Sequence, residues 1–367
     1  MRRFPSGIAE DTAFCNRVQE RKRLKTHMEG VKHTVLIAPR RYGKTSLVRQ
    51  VLKDNQFIYV WVDFLSVTTK QEVEEKVRNA ATELLVKLSP ELKKITLKAK
   101  TFIKSLTPEI NLRALGQSLT LHLAADDTIA IDQVLLKLDE YAQTLEKCVV
   151  FVCDEFQQIS DIENNKSIEA LIRHAVERSR KITYIFSGSN RHLLSEMFSH
   201  SDRPLYRLCH VMPLERIEKR EYHQFLASAA IERWKKEISV EIIEHILAVT
   251  ECHPFYVNVL CDELWGETKA PDSKAMIDEV WQYYIEGHKS IIISDVVSLA
   301  LNQKRVLAAL AKQPTKEPTG AEFLQRTKLP QSSVKRSLET LLKKDLVYVD
   351  KNKDFSVLDP AIKYLIA

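Results

Sequence analysis

The sequence lacks a membrane-length apolar run and lacks the cysteine spacing of a metal or redox site. No stretch reaches the roughly 18 apolar residues of a membrane span, and Met1-Arg2-Arg3-Phe4-Pro5 is followed by no apolar signal core. The six cysteines, at 15, 148, 153, 209, 252 and 261, form no Cys-x-x-Cys pair, so we expect neither a disulfide framework nor a zinc site. We predict a cytoplasmic protein with no membrane partner, in which the cysteines are buried apolar side chains.

Length and composition indicate more than one hydrophobic core. The chain has 367 residues, of which 44% are hydrophobic and 28% are charged. Because globular domains have about 150 residues on average, two or three domains are expected.

A phosphate-binding loop follows the first apolar run of the chain. The run leads into Ala38-x-x-x-x-Gly43-Lys44-Thr45, the phosphate-loop pattern with alanine in place of its first glycine. A strand before this loop and a helix after it would direct backbone N–H groups and the positive helix end at the phosphates. We expect Lys44 to reach the β- and γ-phosphates of ATP and the Thr45 hydroxyl to bind Mg²⁺. A chance match in an unrelated strand-turn-helix is the alternative. The expected nucleotide contacts in the loop are Ala38, Pro39, Arg40, Arg41, Tyr42, Gly43, Lys44, Thr45 and Ser46.

Two adjacent acids follow a second apolar run. Residues 148–153 are almost continuously apolar, which is typical of a strand buried on both faces, and Asp154-Glu155 come directly after them. Carboxylates at the end of such a strand suit a metal-binding acid followed by a water-activating acid. We predict that Asp154 holds Mg²⁺ and that Glu155 is the catalytic acid that activates water. A surface turn after a core strand is the alternative for either residue.

A third strand is predicted over residues 182–186, and polar residues follow it. Ser189 and Asn190 would then lie near the γ-phosphate and sense it. Serine, glycine and asparagine also favour turns, so an ordinary turn explains these residues equally well.

Four segments of the chain together match one known family. They are Pro39-Arg40-Arg41-x-Gly43-Lys44-Thr45-Ser46-Leu47, Asp154-Glu155-Phe156-Gln157, Phe186-Ser187-Gly188-Ser189 and Pro204-Leu205-Tyr206-Arg207. These segments resemble the archaeal-type ATPases of the STAND branch of AAA+ proteins. The resemblance implies an ATPase domain followed by a helical lid.

The resemblance also implies roles for three further residues. Residues 14–20 are similar to the family's short box before the phosphate loop, which implies that Arg17 lies near the adenine. Residues 252–256 resemble the lid signature of the family, which implies that Pro254 contacts the nucleotide. Arg207 is expected to complete a γ-phosphate site, within the chain or across a subunit boundary. Arg203 and an ordinary exposed arginine are the alternatives.

Shifts in hydrophobic periodicity predict three domains. Residues 1–205 alternate strands and helices, which predicts an α/β P-loop NTPase with a parallel sheet and with an insertion over about 86–135 that contains a small hairpin. Residues 206–290 have helical spacing and predict a lid, with breaks at Pro271 and Gly287. Residues 291–367 predict a winged helix-turn-helix, whose recognition helix runs from Pro330 to Lys343.

Positive charge is concentrated in this last section. Residues 303–353 contain twelve basic side chains and five acidic ones. We expect Lys335 and Arg336 on the recognition helix, with Lys351 and Lys353 in the wing, to contact double-stranded DNA. A winged helix that docks a partner protein through a solvated basic face is the alternative, because a fold does not fix a function.

Two functions therefore remain open from the sequence. The first is a Mg²⁺-dependent, ATP-hydrolysing switch that assembles into a homo-oligomer on ATP binding and acts on DNA. The second is a nucleotide-dependent scaffold that binds a partner protein. A small-molecule kinase is disfavoured, because Glu155 beside Asp154 suits water activation and no acceptor-binding segment is visible.

Overall fold

The computed structural model describes residues 2–88, 130–350 and 352–367. Contacts divide the chain into two units. We call them the sheet unit, Val18–Arg40 with Lys44–Leu214, and the helical unit, Met1–Arg17 with Arg41–Gly43 and Glu215–Ala367. Three residues of the predicted phosphate loop are thus grouped with the helical unit.

The sheet unit is built on a five-stranded parallel sheet. Its strands, in their order across the sheet, are β2 (Ile58–Asp63), β3 (Val149–Asp154), β4 (Ile182–Gly188), β1 (Thr34–Ile37) and β5 (His210–Pro213). Its central strands are buried along nearly their whole length, as their apolar sequences predict. The register pairs Ile37 with Gly188 and Cys153 with Phe186, so β1, β3 and β4 end at the same edge. The loops that carry the predicted site therefore leave the sheet together.

Helices of the sheet unit bury apolar faces against this sheet. Leu84, Leu138 and Ile172, from three different helices, share one core with Phe151 and Tyr184 of the sheet. The ends of the predicted insertion lie within the helices Lys70–Leu88 and Ile131–Thr144, and residues 89–129, including the predicted hairpin, lie outside the described residues. The helices are α1 (Val18–Glu29), α2 (Lys44–Asp54), α3 (Lys70–Leu88), α4 (Ile131–Thr144), α5 (Asn165–Arg178) and α6 (Arg191–Ser199).

Four helices of the helical unit form the lid region. They are α7 (Lys219–Trp234), α8 (Val240–Val249), α9 (Pro254–Gly266) and α10 (Lys274–Ile292), and Phe4 packs into their shared core. The predicted break at Gly287 is wrong, because α10 continues to Ile292. An exposed helical glycine costs only about 1 kcal/mol, and the burial of Trp281 and Ile285 on the same helix offsets that cost.

The C-terminal part of the helical unit is a winged helix. Its core includes Leu310, Phe323 and Leu341, and β6 pairs with β7 in antiparallel fashion. The sequence pattern missed the last helix, which packs against α10. Its elements are α11 (Ser294–Val297), α12 (Leu301–Lys312), α13 (Ala321–Thr327), α14 (Gln331–Lys343), β6 (Val347–Val349), β7 (Phe355–Val357) and α15 (Pro360–Ile366). Within the described ranges, no helix combines the length and apolar character needed to cross a membrane.

Candidate nucleotide site

The predicted phosphate loop connects β1 to α2. Gly43 has φ +82°, in the left-handed region that favours glycine. Lys44, the first residue of α2, is buried, and its Nζ donates hydrogen bonds to the carbonyl oxygens of Ala38 at 2.9 Å and Pro39 at 2.8 Å. The side chain of Lys44 therefore folds back onto the backbone of the phosphate loop.

The Thr45 hydroxyl meets Asp154 of β3. Thr45 Oγ1 donates to Asp154 Oδ2 at 3.3 Å, although the two residues are 109 positions apart. Asp154 Oδ1 accepts hydrogen bonds from Ser187 Oγ at 2.6 Å and from the Glu155 N–H at 3.1 Å. Burial raises the pKa of Asp154, and the Ser187 hydrogen bond opposes that shift. A hydroxyl and a carboxylate thus form an oxygen-only pair of the kind that Mg²⁺ prefers.

Glu155 is held by hydrogen bonds to one of its two carboxylate oxygens. Its backbone is left-handed, with φ +50°, and it directly precedes the 3₁₀ helix Phe156–Asp161. Glu155 Oε2 accepts from the Ser189 N–H at 3.2 Å, from Ser189 Oγ at 2.8 Å and from Gln157 Nε2 at 2.6 Å. The structure therefore brings Ser189 to the predicted catalytic acid.

Asn190 caps a helix in the described structure, and its role near the γ-phosphate stays a prediction. It is the N-cap of α6, and its Oδ1 accepts a hydrogen bond from the Leu193 N–H at 3.1 Å. The β4 strand also extends through Ser187 and Gly188, two residues beyond the predicted end of this strand. That extension places the Ser187 hydroxyl beside Asp154.

Tyr42, at the tip of the phosphate loop, is enclosed by residues of the helical unit. Arg17 is buried, and its Nη2 donates to the carbonyl oxygens of Tyr42 and Glu215, each at 2.9 Å. The Tyr42 ring meets the His253 ring edge-on, with 5.0 Å between centroids. Arg17 thus supports the loop backbone, and its role near the adenine stays a prediction.

The predicted lid signature lies at the start of α9. Pro254 is the first residue of that helix, and His253 is its N-cap. Burial, with the nearby charges of Arg216 and Arg41, lowers the pKa of His253 to about 3. His253 Nδ1 is buried and has no hydrogen-bond partner among the described residues. Arg41 Cζ lies 4.1 Å from the centroid of the Phe255 ring.

Arg216 joins several parts of the helical unit, and no sequence motif marked it. Its Nη1 donates to Glu251 Oε2 at 2.6 Å, and its Nη2 donates to the Leu358 carbonyl oxygen at 2.7 Å. Its Nε lies 3.4 Å from the Tyr42 hydroxyl. The guanidinium also lies over the Tyr348 ring, 5.2 Å from its centroid. Arg216 therefore contacts the phosphate-loop tip, the lid and the winged helix.

The two arginines considered for the γ-phosphate differ in their surroundings. Arg203 Nη2 donates to Ser160 Oγ at 2.6 Å and forms an ion pair with Glu169, which is fully buried. Arg207 is exposed, and its guanidinium lies 4.9 Å from the centroid of the neighbouring Tyr206 ring. Of the two, only Arg207 is exposed enough to meet a second molecule.

The predicted recognition helix is amphipathic. Val334, Leu338 and Leu341 point into the winged-helix core, and Lys335 and Arg336 are exposed on the opposite side. Lys353 is exposed in the wing, and Lys351 lies outside the described residues.

Comparisons with known proteins support this fold. A family model described as "Probable winged helix domain" matches residues 294–367. No curated protein matches the chain. A Walker-type ATPase of Pyrococcus abyssi is similar in structure, with 18% identity, coverage of 99% of each chain and a TM-score of 0.68. The ORC2 protein of Aeropyrum pernix, solved as ADPNP-ADP complexes, has 14% identity, coverage of 98% of this chain and 94% of that chain, and a TM-score of 0.55.

These two structural likenesses extend over nearly the whole chain. At such low identity they establish the fold, and the family match independently identifies the C-terminal section. The chain has the fold of the archaeal Walker-type ATPases, with a winged helix domain at its C-terminal end.

Proposed function

We propose that this protein is a Mg²⁺-dependent ATPase of the STAND branch, a switch that acts on DNA through its winged helix. The observation that carries the ATPase proposal is the hydrogen bond between Thr45 and Asp154. It brings the residue that follows the phosphate-loop lysine to the acid that ends a buried strand. Two oxygen ligands leave the rest of a Mg²⁺ shell to water and phosphate, which is the usual arrangement in nucleotide sites.

The remaining groups of the site have separate roles in the proposed hydrolysis. Lys44 would exchange the carbonyl oxygens of Ala38 and Pro39 for the β- and γ-phosphates, while the loop N–H groups hold those phosphates. Mg²⁺ would neutralise phosphate charge as it develops. Glu155 would accept a proton from the attacking water through its carboxylate. The ADPNP-ADP complexes of the structurally similar ORC2 protein support nucleotide as the ligand.

The ATPase proposal is tested by three substitutions and one control. Lys44→Ala should abolish ATP binding, and Asp154→Asn should weaken only its Mg²⁺-dependent part. Glu155→Gln should bind ATP normally but hydrolyse it far more slowly. Lys53→Ala, on the exposed end of the same helix as Lys44, should change neither property. Wild-type turnover in Glu155→Gln, or wild-type ATP affinity in a folded Lys44→Ala protein, would refute the assignment.

The proposal that the winged helix binds DNA rests on which of its faces is occupied. Helix α15 packs against α10, and the Leu358 carbonyl accepts from Arg216, so this side of the winged helix is attached to the lid. Lys335 and Arg336 belong to a different, exposed face of α14. A basic helix face of this kind suits a phosphate backbone. We further propose cytoplasmic location and ATP-dependent self-association, with a docked partner protein as the outcome if duplex DNA does not bind.

A further inference from the structure

We propose that Gln157 is a positioning residue that orients Glu155 for water activation, and that Gly188 lacks a side chain in order to make room for it. This inference rests on the proposed ATPase function. Gln157 lies in the 3₁₀ helix that follows β3, and only 3% of its surface is exposed. Its Nε2 donates to Glu155 Oε2 at 2.6 Å, the shortest of the three hydrogen bonds to that oxygen.

The three donors all act on the same oxygen of Glu155. Ser189 supplies its N–H and its hydroxyl, and Gln157 supplies its amide N–H. In the part of the chain that the structure describes, Glu155 Oε1 accepts no hydrogen bond, and the residue is half-buried. One carboxylate oxygen is thus fixed by protein donors, while the other is left to accept a proton from water. An orienting group of this kind fixes a general base in one rotamer.

The absence of a side chain at Gly188 leaves space for the amide of Gln157. A Cβ atom at position 188 would lie 1.7 Å from Gln157 Oε1 and 2.9 Å from its Cδ. Non-bonded atoms essentially never approach a Cβ so closely, so any side chain at this position must displace the Gln157 amide. The displaced group is the end of a flexible side chain, and the backbone of β4 therefore has no need to move. Gly188 has an ordinary strand conformation in β4, so the absence of a side chain is explained by this close approach alone.

Among the described residues, the side-chain amide of Gln157 makes a hydrogen bond to Glu155 only. Its Oε1 is buried and has no hydrogen-bond partner among the described residues. Leaving a buried amide oxygen without a partner has a free-energy cost, so the observed orientation opposes local stability. An arrangement that holds Glu155 but leaves the Gln157 amide oxygen without a partner is expected where the orientation of that carboxylate matters for function.

The inference predicts a specific pattern in ATP turnover. Gln157→Ala removes the donor and should lower kcat about tenfold, the effect expected for a lost hydrogen bond to a charged group. The affinity for ATP and the KM should stay at the wild-type values, because among the described residues the Gln157 side chain donates its hydrogen bond to Glu155 and none to the phosphate loop. Gly188→Ala should reproduce this loss by pushing the same amide away. Gln158→Ala, which changes the adjacent glutamine of the same helix, should leave kcat unchanged.

The double variant separates positioning from general damage. In the Gln157→Ala background the space beside Gly188 is empty, so adding Gly188→Ala should have no further effect on kcat. Additive losses in the double variant, or wild-type kcat in Gln157→Ala, would overturn the inference while the ATPase proposal stands. An equal fall in ATP affinity and kcat would also overturn it, because that pattern indicates damage to the whole site. A wild-type protein without ATP hydrolysis would overturn both proposals, and circular dichroism of each variant checks folding.

Discussion

Arg216 Nη2 donates a 2.7 Å hydrogen bond to the carbonyl oxygen of Leu358, the residue that joins the wing to the last helix. The same guanidinium is paired with Glu251, whose other carboxylate oxygen accepts from Lys363 of α15. Burial raises the pKa of Glu251, but the charges of Arg216 and Lys363 reverse that effect, so the pKa lies below its ordinary value. Glu251 thus remains charged between two cations, and the winged helix is attached to the lid through them.

Arg216→Ala should loosen the winged helix. Removing one partner of a fully buried ion pair typically costs about 3–5 kcal/mol. The Arg216 and Glu251 side chains are 16% and 23% exposed, so we expect a smaller loss from this pair, and the Leu358 carbonyl also loses its donor. We expect faster amide hydrogen exchange in α15 and a lower free energy of unfolding. Arg220→Ala changes an exposed arginine of α7 and should have almost no effect. Equal exchange in the two variants would show that Arg216 does not hold this contact.

Acid should destabilise the helical unit partly through His253. Its pKa is lowered from 6.5 to about 3 in the folded protein, chiefly by burial. Between these values the unfolded chain binds a proton that the folded chain excludes, so the stability that is present above pH 6.5 is lost as the pH falls toward 3. His253→Phe should flatten the dependence of the unfolding free energy on pH in this window. The exposed His288 provides the control, and parallel pH profiles for wild type and His253→Phe would contradict this prediction.

Exchanging Lys335 and Arg336 for glutamate should weaken duplex DNA binding for every sequence tested. These side chains are expected to contact phosphates, so the affinity of the wild-type protein should fall steeply with salt and the variant should show a smaller salt slope. Basal ATP hydrolysis should be unchanged.

A matched control for this charge change is available in the lid. Lys235 and Lys236 are adjacent and exposed, so their exchange for glutamate alters the net charge by the same amount. Equal losses of affinity in both variants would indicate a general charge effect. If the full chain with ATP shows no salt-sensitive binding to any duplex, docking of a partner protein becomes the better explanation of the winged helix.

Mixing two inactive variants should test whether Arg207 acts across a subunit boundary. The Arg207→Ala chain retains an intact phosphate loop, and the Lys44→Ala chain retains Arg207. Because Arg207 is exposed in the single chain, we expect each variant alone to lose hydrolysis and their mixture to recover part of it. Absence of recovery would restrict Arg207 to a role within its own chain or to none. Arg203→Ala should mainly lower stability, because it leaves Glu169 buried without its partner.

The parts of the fold that the sequence predicted are those with strong local signals. The apolar runs before Ala38 and Asp154 identified central strands because burial on both faces requires continuous apolar sequence. The strand β5 was missed, since only Met212 of its four residues is buried and its sequence, His-Val-Met-Pro, has no clear alternation. The break assigned to Gly287 failed because packing elsewhere on the helix outweighed the local cost of glycine.

Contacts between distant residues were beyond the reach of motif analysis. The sequence identified Asp154, Glu155 and Thr45 from spacing alone, and the structure brings Thr45 to Asp154. The family-like segments include Ser187 and Gln157, but they gave neither residue a role, and no motif marked Arg216. The partners of these residues are distant in sequence or depend on the exact path of a turn. Gly188 shows the limit most clearly. A glycine after a strand suggests a turn, and only the position of the Gln157 amide shows that a side chain there would displace this amide.

The strand order has a consequence for how the chain folds as it is synthesised. β1 precedes the phosphate loop, yet both of its neighbours in the sheet, β4 and β5, come from residues 182–213. While the chain is shorter than this, β1 has no strand to pair with, and its apolar residues remain exposed or covered by temporary contacts. Pairings so distant in sequence form slowly. A nascent chain would therefore acquire a usable phosphate loop only after more than half of the protein has left the ribosome, which makes the early chain dependent on protection from aggregation.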